Sequence, residues 1–165
     1  LGGEQFMNFV KGPLSKGLIA AVWLLSLTTL PAVYSSTFAS DNLTNIIDQR
    51  MQLFKQSGKS IKAISSHIKA GEIELAAKET EFHIKWATEM HDYFPVGSQA
   101  SISNNSKAGG DIWNDWEKFL SYKLEYQKEA EALKSALLLK NEATKKQSFV
   151  AMASACKSCH QSFRN

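Results

Sequence analysis

Two cysteines and one histidine constrain this chain more than anything else in it. They stand in a single run, Cys156-Lys157-Ser158-Cys159-His160, inside a stretch of helical periodicity. On a helix, positions i, i+3 and i+4 share a face. All three side chains therefore leave the same side, and the fold must leave room beside it. The chain has 2 cysteines in all. A disulfide framework needs more, at wider spacing. A structural zinc site needs four ligands. A thioredoxin-type pair should follow a strand and open a helix. Covalent haem attachment uses all three residues. Cys156 and Cys159 reach two positions along one porphyrin edge, and His160 places a ring nitrogen on the iron. One haem c is expected.

The rest of the chain after about residue 40 reads as four helices. The first, from about Asn42 to Lys69, places Ile47, Met51, Phe54, Gly58, Ile61 and Ile68 on one face, and Gly71 ends it. The second, from about Glu72 to Tyr93, lines up Ile73, Ala77, Thr80, Ile84, Ala87, His91 and then Phe94. A polar loop follows. The third starts near Asp111 and carries Trp116, Phe119, Tyr126, Ala130, Leu133 and Leu137. The fourth starts near Asn141 and holds Phe149, Ala153, Cys156, His160 and Phe163. No stretch alternates as a strand does. Short connections make helices one and two, and three and four, antiparallel. The economical fold is all-α, an antiparallel four-helix bundle with one covalent haem. Most stripe residues are plain core. Gly58, His91 and His160 fit a core poorly and mark where a bulky group would sit.

Residues 1–39 follow a different grammar. Lys11 and Lys16 precede an apolar run, Leu18–Leu30, which Pro31 breaks, and Thr37 and Ala39 are small residues at the positions a signal peptidase reads. The run is short for a membrane span. The expectation is a cleaved signal peptide over 1–39, with an uncleaved membrane anchor as the rival, and a haem domain over 40–165. Either way the haem domain is expected in the periplasm, soluble or tethered, and membrane contact is expected only if 1–39 is retained. The formal charge is +3, with 19 basic and 16 acidic residues. They read as spread fairly evenly, with no basic block, so nucleic acid is not expected as a partner. Two haem propionates would nearly cancel the excess.

Beyond the haem motif, the chain resembles the class II cytochromes c, the cytochrome c′ family. The resemblance covers 43–165. It rests on Arg50 with Phe54 four residues later, on Gly58, on Phe94-Pro95-Val96-Gly97-Ser98, on Ile112-Trp113, and on CKSCHQSFR at 156–164. It implies a four-helix bundle, often a homodimer. It also implies that the residue four after the arginine decides the iron's sixth position. Members with methionine there are low-spin electron carriers. Those with a non-ligand are five-coordinate and bind nitric oxide or carbon monoxide. Phe54 cannot ligate iron, so the resemblance implies a high-spin haem with Phe54 as an apolar distal lid. It further implies Arg50 on a propionate and Arg164 beside the proximal imidazole.

Met51, one turn before Phe54, is the competing ligand, and His91 is placed near the haem. His67 and His83 lie off the stripes and should face solvent. Met152, Trp86 and Trp113 read as core or interface. Leu75, Phe82, Trp86 and Tyr93 form a second apolar line on the second helix, which points to a partner surface, first a second copy of the chain and then a membrane complex. Without a nucleophile–base pair or a carboxylate dyad, the chain reads as no enzyme. It reads as a gas-binding haem protein capable of one-electron transfer with a periplasmic redox partner. The alternative is a low-spin electron carrier, soluble or as the haem subunit of a respiratory or photosynthetic complex.

Overall fold

The computed structural model describes residues 34–139 and 141–165, with side chains from 41 onward. Helix α1 spans Tyr34–Ala70, α2 Ile73–Glu89, α3 Asp111–Asn114, α4 Trp116–Leu137 and α5 Glu142–Phe163. A 3₁₀ turn, Met90–Tyr93, extends α2. No strand occurs among the described residues; one isolated bridge pairs Ala108 with Arg164. The four long helices are the expected bundle. Residues 1–33, with the apolar run of the expected signal peptide, lie outside the described residues. No helix among those described is long and apolar enough to cross a membrane.

Local chemistry sets the helix ends. Gly71 adopts φ 75°. The Gly71 N–H bonds Ile68 O, and the Glu72 N–H bonds His67 O at 2.9 Å. This is a Schellman closure, which needs the left-handed residue that glycine supplies. Asp115 caps α4 by accepting from Lys118 N, and Asn141 caps α5 by accepting from Thr144 N. The expected third helix is therefore split at Asp115, whose extended φ of −133° separates the single turn of α3 from α4. Helix α1 starts at Tyr34, not at about Asn42. Tyr34–Asp41 contains neither proline nor glycine, so nothing in it stops a helix.

The helices close a ring in the order α1, α2, α4, α5, but α1 and α5 scarcely touch. Core side chains fill three of the four seams, among them Ile64, Trp86, Ala87, Phe119, Leu133, Leu137 and Met152. The fourth seam, between α1 and α5, stays open. This alters how the α1 stripe reads. The buried residues are Ile47, Arg50, Ser57, Ser60 and Ile64. Met51, Phe54, Gly58 and Ile61 sit a fraction of a turn away and face the open seam. The second apolar line on α2 is largely packed inward: Trp86 is 2 % exposed, and Phe82 and Tyr93 are partly buried against the core. Of that line only Leu75 stays exposed.

Candidate haem site

The open seam is a cavity of about 470 Å³. That lies within the range of small-molecule and cofactor sites, roughly 300–1,000 Å³. From α1 it is lined by Arg50, Met51, Phe54, Ser57, Gly58 and Ile61, and from α5 by Ala155, Cys156, Cys159, His160 and Phe163. Trp86, Met90, Phe119 and Tyr126 form its floor. One face of α5 thus presents both thiols and the imidazole to an apolar chamber. Neither cysteine is paired. Burial pushes both thiols up to about 11, so they stay protonated rather than thiolate. Burial, then the charge of Arg164, lowers the His160 pKa and favours the neutral imidazole that a metal requires. No cluster of three or more metal-ligating side chains occurs among the described residues. A zinc centre has no fourth ligand here.

Phe54 lies across the cavity from His160, ring centroids 5.8 Å apart. Trp86 backs it edge-on at 5.2 Å and Phe94 at 6.4 Å. The Trp86 indole N–H is buried without a partner. Buried polar groups are ordinarily hydrogen-bonded, so this donor beside the cavity fits a guest that carries an acceptor. At Gly58 an added Cβ would meet nothing within 4 Å. That glycine borders space, which is why it looked wrong for a core. These residues fit a covalently held haem.

Arg50 is placed differently from a simple propionate clamp. It is 2 % exposed. Nη1 donates to Tyr93 O at 2.9 Å and Ser98 Oγ at 2.8 Å; Nη2 donates to Ser98 O at 2.6 Å and Ser106 Oγ at 2.8 Å. The guanidinium also lies 4.5 Å over the Phe94 ring. All its terminal donors hold the 93–106 loop, while its charge borders the cavity. Burial lowers its pKa to about 10, so it remains a cation at neutral pH.

Arg164 also lines the cavity. The loop before α3 holds it there. Gly109 N–H donates to Phe163 O at 2.7 Å and Asn165 N–H to Lys107 O at 3.0 Å. A Cβ at Gly109 would come within 3.0 Å of Phe163 O, so the close approach requires glycine.

Three histidines correct the sequence reading. His91 does not line the cavity; its side chain is 43 % exposed, 3.4 Å from Asp92. Met90, three residues after Ala87 and four after Trp86 on the same helical face, takes the buried position instead. His67 is half-buried and bonds Glu72 at 2.6 Å. His83, expected in solvent, is 0 % exposed. Its Nδ1 lies 2.5 Å from the Tyr126 hydroxyl, and its Nε2 has no partner. The buried residues of α2 are Ala76, Thr80, His83, Trp86 and Ala87, continued by Met90. That line is rotated from the expected one, and Ile73 and Ile84 lie partly buried at its edges. Met90 and Tyr126 are cavity residues the sequence reading missed: Met90 stood on none of the stripes, and Tyr126 stood there as core.

Burial lowers the His83 pKa to about 4 from 6.5, with Glu79 opposing. Between those values the unfolded chain binds more protons than the folded one. Stability therefore falls as pH drops from about 6.5 to about 4, by up to ~3 kcal/mol. His83→Gln should flatten this part of the stability–pH curve in denaturant unfolding. An unchanged slope would place the acid sensitivity elsewhere.

An antiparallel helical bundle with a C-x-x-C-H face opening on an apolar cavity defines a haem-binding bundle of the c type. The cytochrome C′ family model matches residues 45–164, and the chain belongs to the cytochrome c′ family. A cytochrome c′ of Pararhodospirillum photometricum is 28% identical over 121 residues, 72% of this chain and 94% of the relative. The solved cytochrome c′ of Rhodopseudomonas palustris is 27% identical with a TM-score of 0.64, over 74% of this chain and 97% of that one. A nitric oxide complex of a cytochrome c′ variant from Alcaligenes xylosoxidans shares the fold at 15% identity, TM-score 0.65, over 74% of this chain and 95% of that one.

Proposed function

We propose that this protein is a periplasmic haem protein whose iron is five-coordinate, binds nitric oxide or carbon monoxide and passes single electrons. The observation that carries the reading is Phe54, facing His160 across the cavity at 5.8 Å without a donor atom. Cys156 and Cys159 would hold one haem by thioether bonds, and His160 would be its single protein ligand. The haem would supply a reducible iron with one axial position for a small ligand. Phe54, Trp86 and Ile61 would wall that side with apolar surface and exclude water and ions. Arg50 and Arg164 would place positive charge in the cavity lining, where carboxylates of the ring would be stabilised. Arg50 would do so as a fixed charge, since its terminal nitrogens already hold the loop. The nitric oxide complex of the Alcaligenes protein supports gas binding in this fold.

Residues 1–39 are proposed as an export segment removed after Ala39, leaving 40–165 as the haem domain. A homodimer is proposed on the resemblance, with a membrane complex as the alternative. The low-spin carrier remains the second reading, because Met51 also lines the cavity.

An absorption spectrum of the reduced protein tests the proposal. The expected result is a broad high-spin spectrum that sharpens on adding carbon monoxide. Split, sharp low-spin bands before carbon monoxide would defeat it and direct attention to Met51 and Met90. The intact mass should equal residues 40–165 plus one haem. In Cys156→Ala/Cys159→Ala the haem should come away in acidified solvent, while the parent keeps it.

A further inference from the structure

The charges that read as evenly spread along the chain are segregated by the fold. Every charged side chain lining the haem cavity is a cation: Arg50, Lys55, Lys107, Lys123 and Arg164. The two helices that form its open seam continue the pattern. None of the chain's 16 acidic residues lies within 49–71 or 143–165. On α1, Lys55, Lys59 and Lys62 stand at helical spacings of four and three, so a basic stripe leads away from the rim. On α5, Lys157 lies one turn before His160, and Arg164 follows just past the helix end. The acids sit elsewhere, four of them on α2 as Glu74, Glu79, Glu81 and Glu89.

The Arg50 donors hold the 93–106 loop, and the other cations form no ion pair within the described residues. The ion pairs among the described residues engage Lys85, Lys128, Lys134 and Lys145, with His67 and His91. None engages Lys55, Lys59, Lys62, Lys107, Lys123, Lys157 or Arg164. Two propionates would neutralise part of the rim and leave it basic. Clusters of one sign steer oppositely charged partners and raise association rates.

We infer that the α1–α5 face, centred on the haem opening, is the docking surface for a one-electron redox protein with an acidic face around its own centre. The inference rests on the haem reading above. Charge complementarity names the partner's chemistry. The position of the cavity at the middle of the basic face favours a redox protein over an anionic membrane. So does the sparse apolar surface there. Among the described residues, α1 exposes no large apolar side chain and α5 exposes only Val150, whereas membrane-seated helices carry several.

The test uses the ferric holoprotein and reduced plant-type ferredoxin, a strongly acidic donor. One electron leaves the iron–sulfur cluster and reduces the haem iron, read by haem absorbance in stopped flow. The expected rate falls about tenfold or more as ionic strength rises from about 0.01 M to about 0.15 M, where the screening length shortens from ~30 to ~8 Å. Cationic hexaammineruthenium(II) should show the opposite trend. Lys59→Glu/Lys62→Glu/Lys157→Glu, three exposed positions outside the cavity lining, should cut the low-salt ferredoxin rate about tenfold with the haem spectrum unchanged. Lys85→Glu on α2 should leave the rate alone. A salt-insensitive ferredoxin rate overturns the inference, as does equal slowing by Lys85→Glu. Flotation with phosphatidylglycerol vesicles, paired with a salt-insensitive ferredoxin rate, would assign the face to lipid instead. Absence of any haem spectrum would fail the haem reading and not the charge argument.

Discussion

Phe54→Met should convert the reduced holoprotein from a high-spin to a low-spin spectrum. The substitution is close in volume, so the wall made with Trp86 and Phe94 should survive at a cost below about 1.5 kcal/mol. What changes is chemistry. A phenyl ring has no donor atom, whereas a thioether sulfur is a weak one and, paired with histidine, a known axial set for haem. The parent side chain already faces His160 across the cavity, so the sulfur starts on the correct side. Carbon monoxide must then displace it. Association should slow by about a hundredfold, equivalent to ~3 kcal/mol in the barrier. Phe54→Ala removes the lid without adding a donor. It should keep the high-spin spectrum and speed association. A low-spin parent, or a Phe54→Met variant still high-spin, would remove Phe54 from the distal position.

Arg50→Met should be the most destabilising single change in the described structure. The guanidinium is held by Tyr93 O, Ser98 Oγ, Ser98 O and Ser106 Oγ. Methionine fills similar length but strands those acceptors, and an unpaired buried acceptor costs roughly 1–3 kcal/mol. Partial hydration of a surface loop will recover some of this, so the expected loss is about 3–5 kcal/mol, the range for breaking a buried charged cluster. Denaturant unfolding of the holoprotein would measure it, and hydrogen exchange should show the 93–106 segment losing protection first. Arg50→Lys should recover only part, because an ammonium cannot reproduce the planar fork. A loss under ~1 kcal/mol would mean that the loop is held by other contacts, chiefly the turn in which Gly97, at φ 90°, lets Ser98 N–H bond Pro95 O.

The two lines of argument differ in how legible they were. The place of Phe54 beside the cavity is readable because it depends on spacing along one helix. The role of Arg50 is not, because its partners lie 43 to 56 residues away. His83 shows the same limit. A histidine off an apolar stripe reads as solvent-facing, yet a phenol from α4 meets it inside the bundle. His91 fails for a related reason: the α2 face that meets the bundle is rotated from the expected line, so Met90 is buried in its place.

The sequence by itself determined the haem motif, its helical presentation and the four amphipathic segments. These depend on neighbours three and four residues apart, and local periodicity carries that information. It also carried the family, through motifs that stay contiguous. Only the tertiary structure decided which seam stays open, where Arg50 and His83 find their hydrogen-bond partners, and that the two acid-free stretches flank one cavity. Those depend on how helices distant in sequence are rotated against each other, and side-chain packing across the whole bundle sets that rotation.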